Sequence, residues 1–346
     1  MNIAIRVDSS VQIGSGHLMR CLTLAAQLQK KYKGARIYFI ARMLDGNLNQ
    51  LIKNNGYEWL KLPSMEADEN LTGYEKWLTV QQDVDAQQTA EKLQTLGQVD
   101  LLVVDSYALD EKWENVVRAY VKKIMVIDDL ANRRHNCDIL LDQNYYADMG
   151  QRYEGLVPKI CEMRIGPSYA LLREEFYELK KKLKKRDGSI KNIFIFFGGS
   201  DLTNETMKAL KAIEMLHWTD LEVNVVVGGS NRHKADIEVY CRNKANIHYF
   251  CQVDNIAELM NQADLAIGAG GTTTWERCFL KLPSIVVAIA ENQVKIAEDC
   301  GKAGLIFYLG TSHEVETADI YNAVINLSKD TLLAYQKNLN WGEMYE

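Results

Sequence analysis

His17 closes the run Gly14-Ser15-Gly16-His17, just after the apolar segment Ile3 to Val7 and a polar stretch that opens with Asp8. Histidine titrates near neutral pH, so it can take a proton from water if a neighbouring carboxylate such as Asp8 holds it. Gly14 and Gly16 let the backbone turn sharply and approach a ligand, and the helical pattern that starts at Leu18 offers unpaired amides to an anion. Arg20 reads equally well as a phosphate or carboxylate partner and as a helix-surface cation. The dinucleotide fingerprint G-x-G-x-x-G fails because Met19 holds its third glycine position, and no phosphate-binding P-loop pattern occurs. A lone histidine in such a loop is more often structural than catalytic; a second loop reverses those odds.

That second constellation is Gly268-Ala269-Gly270-Gly271-Thr272-Thr273-Thr274-Trp275-Glu276-Arg277, after the apolar run Leu265 to Ile267. Gly270 and Gly271 end a strand, Thr272, Thr273 and Thr274 can cap the helix that follows, and its positive end suits a diphosphate. Glu276 lies in the first helical turn, where a carboxylate can accept hydrogen bonds from ribose hydroxyls. The competing account is a structural glycine turn before a capped helix. Downstream, Asn292 and Gln293 follow the strand Ser284 to Ala288 in what reads as a polar loop, where amides suit sugar hydroxyls and acetamido groups; Asn292 as a helix cap is the alternative. Gly199 and Ser200 follow another strand and form a candidate cleft wall. Ser200 is no nucleophile elbow, since Leu202 stands where G-x-S-x-G needs glycine. Tyr107, at the end of Val103-Val104-Asp105-Ser106, reads as a partner of a sugar hydroxyl, as a group orienting His17, or as a packed loop tyrosine. Asp128, Asp129, Asp138 and Asp142 lack the His and Cys spacing of a metal site, so no metal or cofactor is expected.

The elements that must position these residues are short apolar runs alternating with helical patterns. In the first half they are Ile3–Val7, Arg36–Ala41, Leu101–Val104, Lys123–Ile127 and Ile139–Leu141; in the second, Ile193–Phe197, Val223–Val227, Ile247–Phe250, Leu265–Ile267 and Ser284–Ala288. Near-continuous hydrophobicity implies parallel strands covered on both faces. The α/β expectation is therefore two Rossmann-like, doubly wound parallel-sheet domains facing a cleft, at 1–175 and 191–346. Between them a helix at 176–190 carries Lys180-Lys181-Lys182-Leu183-Lys184-Lys185-Arg186. That run reads as the solvated face of a connecting helix or, more sharply, as a weak peripheral contact with an acidic membrane surface.

With 346 residues, 47% hydrophobic, the chain has material for two cores, and a net charge of -6 gives no general attraction for nucleic acid. Its seven cysteines form no C-x-x-C pair and read as reduced thiols. The opening residues lack a signal-peptide pattern and no apolar run approaches the ~20 residues of a membrane span, so a cytoplasmic protein without an integral membrane segment is expected.

Six ordered motifs carry a resemblance: D-S-S-V-Q-I-G-S-G-H-L-M-R-C-L-T-L-A at 8–25, V-D-S-Y at 104–107, I-D-D-L-A at 127–131, G-P-S-Y-A-L-L-R-E-E-F at 166–176, F-F-G-G-S-D at 196–201 and G-A-G-G-T-T-T-W-E-R-C at 268–278. Together they resemble the UDP-sugar hydrolases of pseudaminic acid biosynthesis, over residues 1 to about 310. The resemblance implies the glycosyltransferase-B architecture, similar to the lipid-linked N-acetylglucosaminyltransferase of peptidoglycan synthesis, with the nucleotide held mainly by the second domain. It implies hydrolysis of UDP-2,4-diacetamido-2,4,6-trideoxy-β-L-altropyranose to UDP and the free sugar, by water attack with inversion. His17 matches the family's catalytic histidine, Tyr107 and Asn292 its active-site tyrosine and asparagine, and Glu276 its ribose-binding glutamate. The UDP-sugar is then the partner. The competing readings are a glycosyltransferase of the same fold, in which His17 deprotonates an acceptor hydroxyl, and a non-catalytic nucleotide-sugar sensor. The tail after Leu309 carries no motif and reads only as a helix returning to the first domain.

Overall fold

The structure, a computed structural model, describes residues 1–339, so the last seven residues of the expected C-terminal domain lie outside the described residues. It divides into two compact units: Met1–Asn144 with Asp148–Leu171, and Tyr145–Ala147 with the described residues from Leu172 onward.

The first unit runs β1 (Asn2–Val7), α1 (Gly16–Lys31), β2 (Arg36–Arg42), α2 (Gln50–Asn54), β3 (Glu58–Leu62), α3 (Gln82–Thr95), β4 (Leu101–Asp105), α4 (Glu111–Val117), β5 (Ile124–Ile127), β6 (Ile139–Asp142) and β7 (Glu162–Ile165). Its seven strands are parallel in the order β3-β2-β1-β4-β5-β6-β7. Both faces are buried. Ile3, Ile5, Val7 and Val103 pack with Leu18, Cys21 and Leu22 of α1 on one face, while Ala4, Leu102 and Val104 pack with Ala86, Leu93, Trp113 and Val117 of α3 and α4 on the other. Two covered faces leave no polar alternation in the central strands, and each fully buried aliphatic side chain contributes about 1.5–3 kcal/mol.

The second unit runs α5 (Glu174–Leu179), β8 (Asn192–Phe196), α6 (Glu205–Glu214), β9 (Glu222–Val227), α7 (Lys234–Arg242), β10 (Ile247–Cys251), α8 (Ile256–Gln262), β11 (Leu265–Ala269), α9 (Thr273–Phe279), β12 (Ser284–Ala288), α10 (Glu291–Lys302), β13 (Phe307–Thr311), α11 (Thr317–Asn326) and α12 (Lys329–Asn338). The parallel order is β10-β9-β8-β11-β12-β13. In both sheets the strand order reverses beside the first strand, between β1 and β4 and between β8 and β11. Open α/β sheets bind ligands beyond the carboxyl ends of the strands at that reversal.

Two expectations need correction. The lysine-rich stretch 176–190 is not one connecting helix: α5 ends at Leu179, a single 3-10 turn covers Lys180–Lys182, and an irregular segment follows. The physical reason is Arg186, which is buried and donates to the carbonyls of Met260, Asn261, Ala263, Leu280 and Lys281, while Lys184 pairs with Asp264 at 2.6 Å. A chain that must present those two side chains inward cannot keep a uniformly solvated helical face. The helix after β13 also does not leave its unit: Leu332 of α12 joins the second unit's core, and Tyr335 stacks on Phe307 and donates to the Ile306 carbonyl at 2.9 Å. No described helix is long and apolar enough to cross a membrane.

Candidate active site

β1 and β4 are neighbours with Val7 opposite Asp105, so the loop after β1 and the end of β4 meet at the strand-order reversal of the first unit. Gly14 turns that loop with φ of 76°, a left-handed value that favours glycine, and its amide closes onto the Ser10 carbonyl. α1 then begins at Gly16 and places His17 in its first turn, 8% exposed. The carboxylate that holds it is Asp105, not Asp8: His17 Nδ1 lies 2.6 Å from Asp105 Oδ1. Asp8 turns the other way, to the Arg6 guanidinium at 2.6 Å and the Arg42 amide at 2.7 Å. Asp8, the residue after β1, joins a separate buried cluster in which Arg6 and Arg42 both bind Asp85, and that cluster claims it.

Arg20, one helical turn after His17, is also buried. Its Nε and Nη2 grip the two Asp105 oxygens at 2.6 Å each, and its Nη1 reaches Asp129 Oδ2 at 2.6 Å. All three nitrogens therefore serve protein carboxylates: of its readings, Arg20 is the carboxylate partner rather than a helix-surface cation, and it braces Asp105. Burial alone would push the Asp105 carboxyl up, but Arg20 and His17 hold it far below the usual carboxylate range. An ionised Asp105 accepts the Nδ1 proton of His17, which puts the imidazole lone pair on Nε2; that nitrogen has no partner among the described residues.

Tyr107 does not hydrogen-bond to His17. Its hydroxyl donates to Asp129, and its ring lies edge-on to the imidazole with centroids 4.6 Å apart. Burial beside Asp129 pushes the phenol well above its ordinary value, so Tyr107 stays a neutral donor. Trp77 stacks on Tyr107 and meets His17 edge-on at 5.8 Å, with Tyr74 against both Tyr107 and Trp77. The network continues along successive strand ends: Asn144, after β6, donates from Nδ2 to Asp129 at 2.7 Å and to Asp142 at 2.9 Å.

In the second unit the glycine loops after β8 and β11 again stand at the reversal. Gly199 lies in a turn whose carbonyl accepts from Ser230 at 2.8 Å, and Ser200 is half-buried beside it. Asp201, next in the chain, accepts the amides of Glu205 and Thr206 and so starts α6. After β11, Gly270 and Gly271 lie against Gln293, whose Oε1 accepts the Ile289 amide at 3.1 Å. Asn292 and Gln293 are not in a loop but in the first turn of α10.

The three threonines do not cap α9 as expected. Thr272 takes the cap position, where its helical backbone angles replace the extended ones of a side-chain cap and no side-chain cap bond forms, and the hydroxyls of Thr273 and Thr274 accept from Arg277 at 3.3 and 3.1 Å. Glu276, 5% exposed, is held through Oε1 by Arg173 Nη2 at 2.9 Å and Nε at 3.1 Å; its Oε2 is buried with no hydrogen-bond partner among the described residues. A buried carboxylate oxygen without a donor costs about 1–3 kcal/mol, which a ligand hydroxyl would relieve. Among the described residues no three His, Cys, Asp or Glu side chains converge as a metal ion would require.

Residues 192–332 match the glycosyltransferase family 28 C-terminal domain. The chain is 31% identical over 88% of its length to a UDP-2,4-diacetamido-2,4,6-trideoxy-beta-L-altropyranose hydrolase of Campylobacter jejuni, covering 97% of that protein. The chain belongs to this hydrolase family. Among solved structures, MurG of Acinetobacter baumannii superposes with a TM-score of 0.59 at 14% identity, across 97% of this chain and 94% of that one. UGT2 of Phytolacca americana, complexed with UDP-2fluoro-glucose and pterostilbene, gives 0.68 at 12% identity, across 99% and 94%. At such identities these likenesses show the fold, which is glycosyltransferase-B: two parallel-sheet α/β domains.

Sequence reasoning placed Asp105 and Asp129 at strand ends near the site without giving either a role, and it missed Asn144 and Trp77. Asp105 and Asp129 carried a usable signal, since each ends an apolar run in a sheet whose strand ends hold ligands. Trp77 and Tyr74 carried none: they sit on a 3-10 turn, Gly73–Trp77, far in sequence from any motif.

Proposed function

We propose that this protein hydrolyses UDP-2,4-diacetamido-2,4,6-trideoxy-β-L-altropyranose to UDP and the free 2,4-diacetamido-2,4,6-trideoxy-L-altrose, with His17 as general base. The observation that carries the reading is the buried Asp105, which accepts the His17 Nδ1 proton and leaves Nε2 as an unpartnered lone pair. Nε2 removes a proton from water as the water oxygen bonds the anomeric carbon. The bond from that carbon to the β-phosphate oxygen breaks, and its electron pair leaves with UDP. Because UDP is a good leaving group, no second acid of raised pKa is needed, unlike the paired carboxylates of ordinary glycosidases. A single displacement inverts the anomeric configuration, and activity is expected to persist in EDTA. The nucleotide is assigned to the second unit, with the Glu276 Oε2 vacancy for ribose and the loop Gly270–Thr273 for the diphosphate. Tyr107 acts by packing His17 and anchoring Asp129, and Asn292, at the start of α10, is assigned to the sugar.

The test is proton NMR of the purified protein with the UDP-sugar alone. UDP release without any acceptor and an inverted first-formed anomer are the expected results. A glycosyltransferase is the second reading, favoured by the family 28 match over residues 192–332; strict dependence on an added acceptor would establish it and defeat hydrolysis.

A further inference from the structure

Arg277 is a buried cation of the second unit that makes no ion pair among the described residues; its neighbour Glu276 acts on it only through space. It is 1% exposed, and no carboxylate among the described residues lies within ion-pair distance of its guanidinium. Its Nη2 donates to the Ala269 carbonyl at 2.8 Å and the Thr274 hydroxyl at 3.1 Å, its Nη1 to the Thr273 hydroxyl at 3.3 Å, and its Nε has no partner among the described residues. The first unit treats buried arginines differently: Arg6, Arg20 and Arg42 each bind a buried aspartate. Arg186, the other buried arginine of the second unit, also makes no ion pair among the described residues, but it directs its Nε and both Nη to carbonyls, whereas Arg277 keeps a nitrogen unused. A buried charge without a counter-ion is expensive, so a fold that keeps one gains from leaving the compensating charge to something else.

The guanidinium lies directly under the glycine loop. A methyl group on Gly268 would stand 2.9 Å from Arg277 Nη1 and 2.4 Å from the Phe196 carbonyl, so only glycine lets strand and guanidinium meet there. Thr273 carries the charge outward. Because its oxygen accepts from Arg277, its own hydroxyl proton is free to turn away, and the residue is partly exposed. Helix α9 has only seven residues and no side-chain cap, so its macrodipole is a weak substitute for a full charge. Burial lowers the Arg277 pKa only to about 10, so it remains a cation at neutral pH.

We propose that Arg277 is a specificity-determining positioning residue. It supplies the loop Gly270–Thr273 with the positive charge that selects a nucleoside diphosphate over an uncharged nucleoside, and delivers it through the Thr273 hydroxyl. The inference rests on the nucleotide assignment made above and gives it an electrostatic source. Screening by solvent is weak at a fully buried guanidinium, so at equal distance its charge acts on a diphosphate more strongly than that of an exposed lysine.

Titration calorimetry on the full chain with UDP, uridine and inorganic pyrophosphate tests it, using Arg277→Met, Arg277→Lys and Thr273→Val beside the unaltered protein. Arg277→Met is expected to weaken UDP at least about tenfold, the scale of one charged hydrogen bond, while uridine changes by less than about twofold. Arg277→Lys should recover part of the loss because it keeps the charge, and Thr273→Val should weaken UDP several-fold, again sparing uridine. A purely structural role would lower UDP and uridine together; that result, or unchanged UDP binding, overturns the proposal. If Arg277→Met does not melt cooperatively, Arg277→Lys and Thr273→Val decide on the same criterion. Binding of ADP or thymidine diphosphate in place of UDP would sink the UDP assignment, and the same variants would then decide Arg277 with that diphosphate. An unaltered protein that binds no diphosphate and no pyrophosphate overturns the Arg277 proposal outright.

Discussion

The two units bring glycine loops to equivalent points of similar sheets, yet they treat charge in opposite ways. In the first, His17, Arg20, Asp105, Asp129 and Asn144 satisfy one another in a continuous buried chain, and what remains unpartnered is one imidazole nitrogen. In the second, among the described residues, Glu276 keeps an oxygen without a donor and Arg277 a guanidinium nitrogen without an acceptor and no ion pair. A site that must hold a base in one tautomer gains from internal pairing, because fixed dipoles need no rearrangement during reaction. A site that must take up a polar ligand gains from vacancies the ligand fills. Paired groups should therefore govern turnover, and vacant groups affinity.

The hardest test of that division is His17→Ala, expected to lower kcat by about 10³-fold in acceptor-free hydrolysis while UDP affinity, measured by calorimetry, holds. Turnover that survives would remove His17 from the mechanism. Next is Asp105→Asn, which keeps the shape but offers Nδ1 an amide; the imidazole can then flip its proton to Nε2, and kcat should fall about 10²-fold with KM little changed. Because this change also leaves Arg20 with an uncompensated charge, a melting curve belongs beside it. A loss expressed in KM alone would place Asp105 on the affinity side and break the contrast.

The central strands were legible in the sequence because both their faces are covered, which writes an unbroken apolar run. Of the four edge strands, β10 was legible as Ile247–Phe250, while β3, β7 and β13 were not. Their sequences, Glu58-Trp59-Leu60-Lys61-Leu62, Glu162-Met163-Arg164-Ile165 and Phe307-Tyr308-Leu309-Gly310-Thr311, lie at sheet margins and mix polar with apolar positions. Site residues divide in the same manner. His17 and Glu276 announce themselves through the glycines beside them, a local signal. The partner of His17 is 88 residues away, and only the pairing of β1 with β4 brings Val7 opposite Asp105, so proximity in sequence favoured Asp8. The irregular segment with Arg186 was illegible for the opposite reason, since a run of seven mostly basic residues looks solvated until the carbonyls that receive one of them are known.

On the vacancy side, Glu276→Gln keeps one acceptor oxygen but loses the charge that Arg173 holds, and is expected to weaken UDP about tenfold through KM, with kcat at saturation within about threefold. Substrate titrations separate the two constants. An equal fall in kcat would mean that Glu276 acts in the transition state, contrary to its assignment.

The smallest expected effect lies at the far end of the paired chain. Burial first, then the charge of Asp129, pushes the Asp142 carboxyl up to about 7, with Asp128 adding to the rise and Arg152 opposing it. Tyr153 lies 3.0 Å from Asp142 Oδ2 and 3.1 Å from Asp128 Oδ2, and its one proton cannot serve both; a protonated Asp142 donates to Tyr153, which then donates to Asp128. A carboxyl raised in the folded state contributes stability that is complete below its ordinary value of 3.8 and is lost as pH rises through about 7. The melting temperature should therefore decline between about pH 5 and pH 8. Asp142→Asn, whose amide imitates the protonated acid, should flatten that decline by a few degrees, about 2–4 °C for each kcal/mol at this domain size. Parallel pH curves for the two proteins would mean that Asp142 is ionised throughout, and the pairing in the first unit would then include a carboxylate held at a cost rather than a neutral link.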